Sequence, residues 1–256
     1  MCGRLSQYSG IHDFVAALSM PNALVSSVGE LPLERYNVAP STKVALLHLQ
    51  SELLHADRVR WGWRPHWAKD RAAPINARVE KVAHGPFFRA IWPHRAITPI
   101  DNWFEWVDEG GTKKQPYLIR RRDGAPVLCA AVGQLPDSDQ GPGDQDGFVI
   151  ITADSAGGMV DIHDRRPVVL TPDLAREWLD PATPKERAEQ PNASVTRALR
   201  SWISQHKART SRGLRMVQGR YCRGQCAEQR DGADPTYQRA MALTYMHLPL
   251  HANGTD

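Results

Sequence analysis

Hydrophobic residues recur in short runs through the first two thirds of the chain, and these runs have the length of buried strands. Most runs are bounded by charged residues, glycine or proline, which interrupt strands. The runs follow one another without a regular exchange of strand and helix, so an antiparallel or mixed sheet is favoured over a doubly wound one. The sequence therefore predicts an α+β protein, mostly an antiparallel or mixed, barrel-like β-sheet with short flanking helices. The predicted strands lie at residues 44–49, 59–63, 95–100, 103–106, 116–120, 127–132 and 148–152.

Two short segments have the spacing of a helix instead. Ile11–Leu18 places apolar residues at positions 11, 14, 15 and 18, on one side of a helix. Pro172–Leu179 follows Thr171, a residue type that accepts hydrogen bonds well at a helix start. A third helix is predicted over residues 195–203, and the stretch YNVAPSTK at 36–43 predicts a turn-rich loop.

The last quarter of the chain is basic and has no consistent period. Residues 200–230 contain eight Lys or Arg side chains and one acid, Glu228, whereas the whole chain has a net charge of only +4. We therefore predict a folded domain over residues 1–199 and a basic C-terminal tail over residues 200–256, either disordered or diverged. Such a tail would add salt-sensitive affinity for nucleic acid.

Composition limits the location of the protein and its cofactors. No apolar run approaches the roughly 18 residues that span a bilayer, and the N-terminus lacks the basic and apolar regions of a secretory signal. Four cysteines among 256 residues, with a single close pair at Cys222 and Cys226, match neither a disulfide scaffold nor a zinc site. The familiar P-loop, dinucleotide-binding, zincin and hydrolase signatures do not occur. We expect a cytoplasmic protein that uses no membrane, no metal and no cofactor.

Cys2 stands directly after Met1, where a small residue normally permits removal of the initiator methionine. An N-terminal cysteine carries an α-amine with a pKa of roughly 7.7–8.0 and a thiol with a pKa of about 8.5. The amine can form a Schiff base with an aldehyde, after which the thiol closes a five-membered thiazolidine. Alternatively, the thiol attacks an acyl carbon while the amine acts as its base. A cysteine without function at a frayed terminus is the third interpretation.

Other residues have side chains suited to proton transfer or orientation. Glu105 lies in an aromatic strand, where burial would raise its pKa toward that of a general acid, although the pattern fits an outward-facing side chain equally well. His163 is flanked by charged residues and could exchange protons or stabilise an oxyanion, or lie on the surface. Asn76 could orient the amine of Cys2, and Arg78 could bind a phosphate, although both residue types are common in loops.

Six motifs occur in order within the first 180 residues. They are MCGR (1–4), YNVAPST (36–42), WGWRPHWAKD (61–70), INARVE (75–80), FFRAIWPHRAITPIDNWFEW (87–106) and IHDRRPVVL (162–170). Each motif alone is a weak signal, but together they resemble SRAP, the SOS-response-associated peptidase family.

The resemblance implies an SRAP fold and a sensor of abasic sites in single-stranded DNA that acts in the DNA damage (SOS) response. Family members lose Met1, and the ring-opened sugar aldehyde reacts with the amine and thiol of the N-terminal cysteine. The product is a thiazolidine crosslink between protein and DNA that shields the lesion. Carried over by motif, Cys2 is the double nucleophile and Asn76 positions its amine. Glu105 assists sugar ring opening and proton transfer, and His163 acts on the ribose oxygen.

The same resemblance implies the partner and its contacts. We expect a monomer that binds single-stranded DNA with an abasic site and is nucleoid-associated when bound. Strand incision (AP lyase) and crosslink reversal through the same Schiff base are further expected activities. Two other functions stay open, a thiol autopeptidase that uses Cys2 and a non-catalytic protein that binds DNA through its tail. The expected DNA-binding residues are arginines for phosphates and other residues for flanking bases: Arg4, Arg78, Arg89, Arg165, Asn37, Pro40, Trp67 and Trp106.

Overall fold

A computed structural model describes residues 2–110, 112, 114–121, 123–137, 141–155 and 163–184, together with the backbone of residues 214–218. These residues form two β-sheets and three short α-helices, with a 3₁₀ turn at His66–Ala68. The helices are α1 (Ile11–Leu18), α2 (Val79–Val82) and α3 (Pro172–Leu179). The strands are β1 (Arg4–Gln7), β2 (Leu24–Ser26), β3 (Arg35–Val38), β4 (Lys43–Gln50), β5 (Leu53–Arg60), β6 (Asn76–Arg78), β7 (Arg95–Ile100), β8 (Asn102–Val107), β9 (Gln115–Arg121), β10 (Val127–Gln134), β11 (Gly147–Asp154), β12 (Arg165–Pro167), β13 (Val169–Leu170) and β14 (Leu214–Gln218).

The larger sheet has nine described strands and is buried on both faces. Its main order is β12-β11-β10-β7-β4-β5-β2, with β13 paired to β10 and β6 paired to β11. All these pairings are antiparallel except β6 with β11 and β2 with β5. In the central strand β10, alternate side chains face opposite sides, so Cys129 and Ala131 point toward one core, and Leu128 and Ala130 toward the other.

The smaller sheet is antiparallel and covers one face of the larger one. Its order over the described residues is β14-β9-β8-β1-β3. Leu5, Trp103 and Ile119 of this sheet are fully or almost fully buried against residues of the larger sheet such as Phe148. We call this region the inter-sheet core. Cys2 belongs to it and is fully buried.

The helices cover the opposite face of the larger sheet. Helix α1 buries Ile11, Phe14 and Leu18, as the spacing of its apolar residues predicts. Helix α3 begins at the predicted cap, where the hydroxyl of Thr171 accepts a hydrogen bond from the main-chain N–H of Leu174 at 3.4 Å. Both predicted helices are therefore confirmed.

The predicted fold class is confirmed, because the described residues are mostly sheet with short helices. In the described part of the chain, however, neither sheet closes into a barrel, since each ends in edge strands. The loop predicted at 36–43 is wrong for its first residues, because pairing with β1 holds Arg35–Val38 as a strand. No helix of the described residues is long and apolar enough to cross a membrane.

The predicted boundary at residue 199 and the helix at 195–203 fall in a stretch outside the described residues. The strand β14 lies beyond that boundary, and its backbone pairs antiparallel with β9. No strand was predicted from the sequence at these positions. The division into a domain over 1–199 and a tail over 200–256 stays a prediction.

Candidate active site

Cys2 enters the inter-sheet core two residues before β1 begins. Strand β1 pairs with β8, with Arg4 opposite Phe104, and this pairing fixes the start of the chain beside β8. The thiol of Cys2 lies 3.8 Å from the carbonyl oxygen of Arg4, to which it donates. Burial raises the pKa of this thiol well above its ordinary value, and negative charge on Glu105 raises it further. The sulfur is therefore protonated at neutral pH in this state and needs a proton acceptor before it can act as a nucleophile.

Asn76 holds the backbone of Cys2 from the other sheet. Strand β6 pairs in parallel with β11, with Asn76 opposite Ile150, which places the amide at the edge of the inter-sheet core. Its Nδ2 donates a hydrogen bond to the carbonyl oxygen of Cys2 at 2.9 Å. Its Oδ1 is buried and has no hydrogen-bond partner among the described residues. This amide thus fixes one side of residue 2 and offers an acceptor on the other.

Glu105 is a buried carboxyl on β8. Because side chains alternate along a strand, it faces the same side as Trp103, toward the inter-sheet core. Only 1% of the residue is exposed. The sequence allowed either a buried or an outward-facing side chain, and the structure shows the buried one. Burial raises its pKa to about 7, although the positive charge of the chain's N-terminus partly opposes the shift. A carboxyl with this pKa can both donate and accept a proton near neutral pH.

His163 provides a neutral imidazole near the same group of charges. Its Nδ1 accepts a hydrogen bond from the main-chain N–H of Arg165 at 3.0 Å, and Asp164 Oδ1 lies 2.5 Å from the same nitrogen. One nitrogen cannot accept and donate at once. Burial and the N-terminal charge lower the pKa of His163 despite Asp164, so the imidazole is neutral near pH 7. The hydrogen bond from Arg165 then requires Nδ1 to be the accepting nitrogen. In that form the proton is on Nε2.

The four predicted catalytic residues are thus brought together from distant parts of the chain. Asn76 contacts Cys2 directly, although 74 positions separate them. Negative charge on Glu105 raises the pKa of Cys2, and negative charge on Asp164, the neighbour of His163, raises that of Glu105, which places these residues in one electrostatic neighbourhood. The arrangement combines a nucleophilic residue, a carboxyl that titrates near neutrality and an imidazole.

The predicted phosphate-binding arginines have different surroundings. Arg4 Nη1 donates to Asn37 Oδ1 at 3.2 Å, and both residues are partly exposed. Arg78 and Arg89 are exposed. Arg165 is 7% exposed, and its phosphate contact stays a prediction. Its guanidinium binds Glu80 Oε2 at 3.0 Å, Asp154 Oδ1 at 2.5 Å and the carbonyl oxygen of Thr152 at 2.8 Å.

The predicted base-contacting residues include two exposed tryptophans. Trp67 is 58% exposed and rests edge-on against Phe87, with 5.6 Å between ring centroids. Trp106 is 38% exposed and lies 6.4 Å from the ring of Phe104. Pro40 is partly exposed in the loop between β3 and β4. Exposed rings supported by other rings are suitable platforms for stacking bases.

Two buried residues, one of them beside Cys2, were not singled out from the sequence. Cys129 is fully buried in the inter-sheet core, and its charge contributes to the raised pKa of the Cys2 thiol. Arg166 is 7% exposed, and burial lowers its pKa to about 10. Alternation along β10 would have placed Cys129 on the inward face, but sequence gives no sign that this face meets Cys2.

Across the described ranges, no group of three or more His, Cys, Asp or Glu side chains is arranged to hold a metal ion. The pair Cys222 and Cys226 lies outside those ranges. The described site is therefore built from a cysteine, an amide, a carboxyl and an imidazole. Such a set has the side chains that nucleophilic chemistry with its own proton-transfer groups requires.

Comparison with known proteins identifies the family. The family model "SOS response associated peptidase (SRAP)" matches residues 1–209, and the chain belongs to this family. It is 48% identical over 181 residues to the abasic site processing protein YedK of Escherichia coli K12, a match that covers 70% of this chain and 79% of YedK. It is 33% identical over 185 residues to the abasic site processing protein YoaM of Bacillus subtilis, a match that covers 71% of this chain and 80% of YoaM.

A solved structure supports the same fold. The crystal structure of a phage-related protein from Bordetella bronchiseptica matches with a TM-score of 0.61 and 38% sequence identity. The match covers 74% of this chain and 86% of that chain. The SRAP fold expected from the sequence is thereby confirmed.

Proposed function

We propose that this protein processes abasic sites in single-stranded DNA by forming a covalent bond between the lesion and Cys2 after Met1 is removed. The observation that carries the proposal is the position of Cys2, held by Asn76 in one site with Glu105, whose pKa is about 7. The 48% identity to a protein named for abasic site processing supports the substrate class.

The covalent step uses both nucleophiles of an N-terminal cysteine. The α-amine attacks C1′ of the ring-opened sugar, and the resulting carbinolamine loses water to give a Schiff base. The thiol then adds to the same carbon of the protonated Schiff base, the C=N π electrons return to nitrogen, which keeps its proton, and a thiazolidine results. One water molecule leaves in the whole sequence. Glu105 protonates the departing hydroxyl and afterwards accepts the thiol proton, since a pKa of about 7 permits both transfers.

Asn76 and His163 hold the reacting groups. The buried Oδ1 of Asn76 accepts from the free amine of Cys2, so that its lone pair is aimed at the aldehyde. The Nε2 proton of neutral His163 is donated to the sugar ring oxygen as the ring opens. The same groups can return protons, so crosslink reversal and strand incision through the Schiff base belong to the proposal.

The DNA contacts follow from exposure and charge. Arg78 and Arg89 are exposed and can reach phosphates directly, whereas Arg165 must share its guanidinium with Glu80 and Asp154. Trp67 and Trp106 with Asn37 and Pro40 would contact the flanking bases. We propose that a monomer acts in this way in the cytoplasm, nucleoid-associated during the SOS response to DNA damage.

The proposal is tested by incubating protein that has lost Met1 with a single-stranded oligonucleotide containing one abasic site, followed by a denaturing gel without reductant. We expect a stable adduct with the wild type and none with Cys2→Ser, which keeps the amine but cannot close the sulfur ring. The matched control is Cys129→Ala, which removes the other buried thiol of the inter-sheet core and should leave the adduct. Equal adduct from Cys2→Ser and the wild type would refute the proposal. Peptide cleavage by a wild type that forms no adduct would favour the thiol peptidase instead.

A further inference from the structure

Four cations cluster at one end of strands β3, β4 and β5, away from the groups that do the proposed chemistry. Lys43 on β4 lies opposite Arg60 on β5. Arg58, two residues before Arg60, lies opposite Ala45. Because side chains alternate along strands, Lys43, Arg58 and Arg60 share one face of the sheet. Arg35 of β3 completes the cluster. We call these four residues the β3–β5 cationic patch.

Contacts within the patch bring its charges close together. The guanidinium of Arg35 donates to the carbonyl oxygen of Lys43 and, at 3.2 Å, to the hydroxyl of Thr42. Burial lowers the pKa of Arg35, and the positive charge of Arg58 lowers it further, so the two guanidinium groups repel each other. Arg58 is exposed and donates to the carbonyl oxygen of Val28 at 3.4 Å.

No carboxylate in the described part of the chain forms an ion pair with any patch residue. The Nε of Arg60 is buried there without a hydrogen-bond partner. Arg121 and Arg176, by contrast, form ion pairs with Asp123 and Asp173. A cluster of cations without a carboxylate partner costs repulsion that an external polyanion would offset.

The patch is continuous with the loop that carries Pro40. The main-chain N–H of Ser41 donates to the carbonyl of Trp61 at 2.8 Å, and the N–H of Trp61 donates to the carbonyl of Thr42 at 2.9 Å. Arg35 pairs with Gln7 on β1, five residues from Cys2 along the chain. At about 3.3 Å per residue, this separation is roughly 17 Å. Ala45, opposite Arg58, packs in the helix-side core, so Lys43, Arg58 and Arg60 lie on the other face of the larger sheet from Cys2. DNA with its abasic sugar at Cys2 would therefore reach the patch around the sheet edge at the Pro40 loop.

We propose that the β3–β5 cationic patch binds the sugar-phosphate backbone of the DNA on one side of the abasic site, without sequence preference. This inference rests on the proposed function only for the position of the lesion. Phosphate contacts of this kind position the nucleic acid and contribute salt-dependent affinity.

The test measures equilibrium binding of oligonucleotides that contain a tetrahydrofuran residue, an abasic analogue without an aldehyde, at several salt concentrations. Two oligonucleotides extend by about ten nucleotides on only the 5′ or only the 3′ side of the analogue. We expect the Arg58→Ala/Arg60→Ala variant to bind one of them about tenfold more weakly. The slope of log affinity against log salt concentration should become shallower by about 1.4, because each of the two lost phosphate contacts contributes roughly 0.7. Binding of the other oligonucleotide should be unchanged.

Two controls separate charge from structure. Arg58→Lys/Arg60→Lys keeps the charges and should retain most of the affinity, and Arg121→Ala removes a paired cation and should have no effect. Thermal unfolding verifies that each variant is folded. Wild-type affinity and salt slope in a folded Arg58→Ala/Arg60→Ala variant, with both oligonucleotides, would overturn the inference. Failure of the wild type to crosslink a reactive abasic oligonucleotide would instead refute the proposed function, since binding of the analogue requires no chemistry.

Discussion

Two buried carboxyl groups, Asp57 on β5 and Glu105 on β8, show opposite responses to burial. Asp57 is 7% exposed and Glu105 1% exposed. Asp57 accepts a hydrogen bond from Ser27 Oγ at 2.6 Å and lies 2.9 Å from His48 Nε2. Burial alone would raise its pKa, but these hydrogen bonds and the nearby histidines lower it. Asp57 is thus held as an anion by the groups around it.

At Glu105 the effect of burial prevails. Burial is the largest influence on its pKa and raises it to about 7, while the N-terminal charge opposes the shift only in part. A protein gains nothing in stability from such a carboxyl, because the charged form is costly to bury. The contrast separates Asp57, a structural group, from Glu105, since a carboxyl that titrates near neutrality is suited to the proton transfer that we propose for Glu105.

The largest expected effect comes from replacing Glu105 by glutamine, which keeps the shape and removes the titratable proton. We expect capture of an abasic oligonucleotide to slow by about 10²-fold, the contribution typical of a general acid. The matched change Asp57→Asn should leave the rate of capture unchanged. Single-turnover rates with excess protein measure both. A wild-type rate for Glu105→Gln would show that Glu105 transfers no proton in the reaction and so does not differ from Asp57 in this respect.

The pH dependence of capture sharpens the same contrast. The amine must be unprotonated, so the rate falls below its ordinary pKa of roughly 7.7–8.0. Glu105 must be protonated, so the rate also falls, about tenfold per pH unit, above a pKa of about 7. The profile should be a bell with its maximum between these values. Glu105→Gln should lose the alkaline limb and keep the acidic one, whereas Asp57→Asn should keep both.

Stability should respond to pH with opposite signs at the two sites. The pKa of Glu105 is raised on folding, so its contribution is complete below the unfolded pKa of about 4.3 and is lost as pH rises through about 7. The pKa of Asp57 is lowered, so its contribution is present above the unfolded value and lost as pH falls through the folded one.

Thermal or denaturant unfolding at pH 8 therefore separates the two residues. Glu105→Gln should raise the free energy of unfolding by about 2 kcal/mol, because it removes a buried charge. Asp57→Asn should lower it by about 1–3 kcal/mol, because it disturbs a satisfied network. At pH 4 the gain from Glu105→Gln should disappear. A loss of stability in both variants at pH 8 would show that the two carboxyls are equivalent.

Sequence predicted the strands whose side chains pack in the cores. The predicted runs at 95–100, 103–106 and 127–132 fall within β7, β8 and β10, since all three are largely buried and strongly apolar. The first six of the eight residues of β5 were missed because buried His55 and Asp57 interrupt its apolar pattern, and the strand predicted at 59–63 runs past the end of β5 at Arg60. Strand β12 consists of Arg165, Arg166 and Pro167, and pairing with β11 rather than apolar character makes it a strand.

The candidate site was predictable only in part. The place of Cys2 after Met1 made it a candidate nucleophile, and the resemblance to SRAP was needed to select it and its companions. Local sequence could not decide whether Glu105 is buried, because that depends on how the second sheet covers β8. Nor could it show that Asn76 reaches Cys2, since this contact requires the parallel pairing of β6 with β11. The ion pairs of Arg165 with Glu80 and Asp154 are likewise long-range.

Intact mass spectrometry of the protein, alone and after incubation with an abasic single-stranded oligonucleotide, tests the central claim most directly. The account predicts a protein that lacks Met1 and, after incubation, an adduct whose mass is that of protein plus oligonucleotide minus one water. That adduct should survive denaturation and heat without reductant, as a thiazolidine does and a Schiff base does not. Protein that lacks Met1 yet forms no such adduct would contradict covalent capture by Cys2.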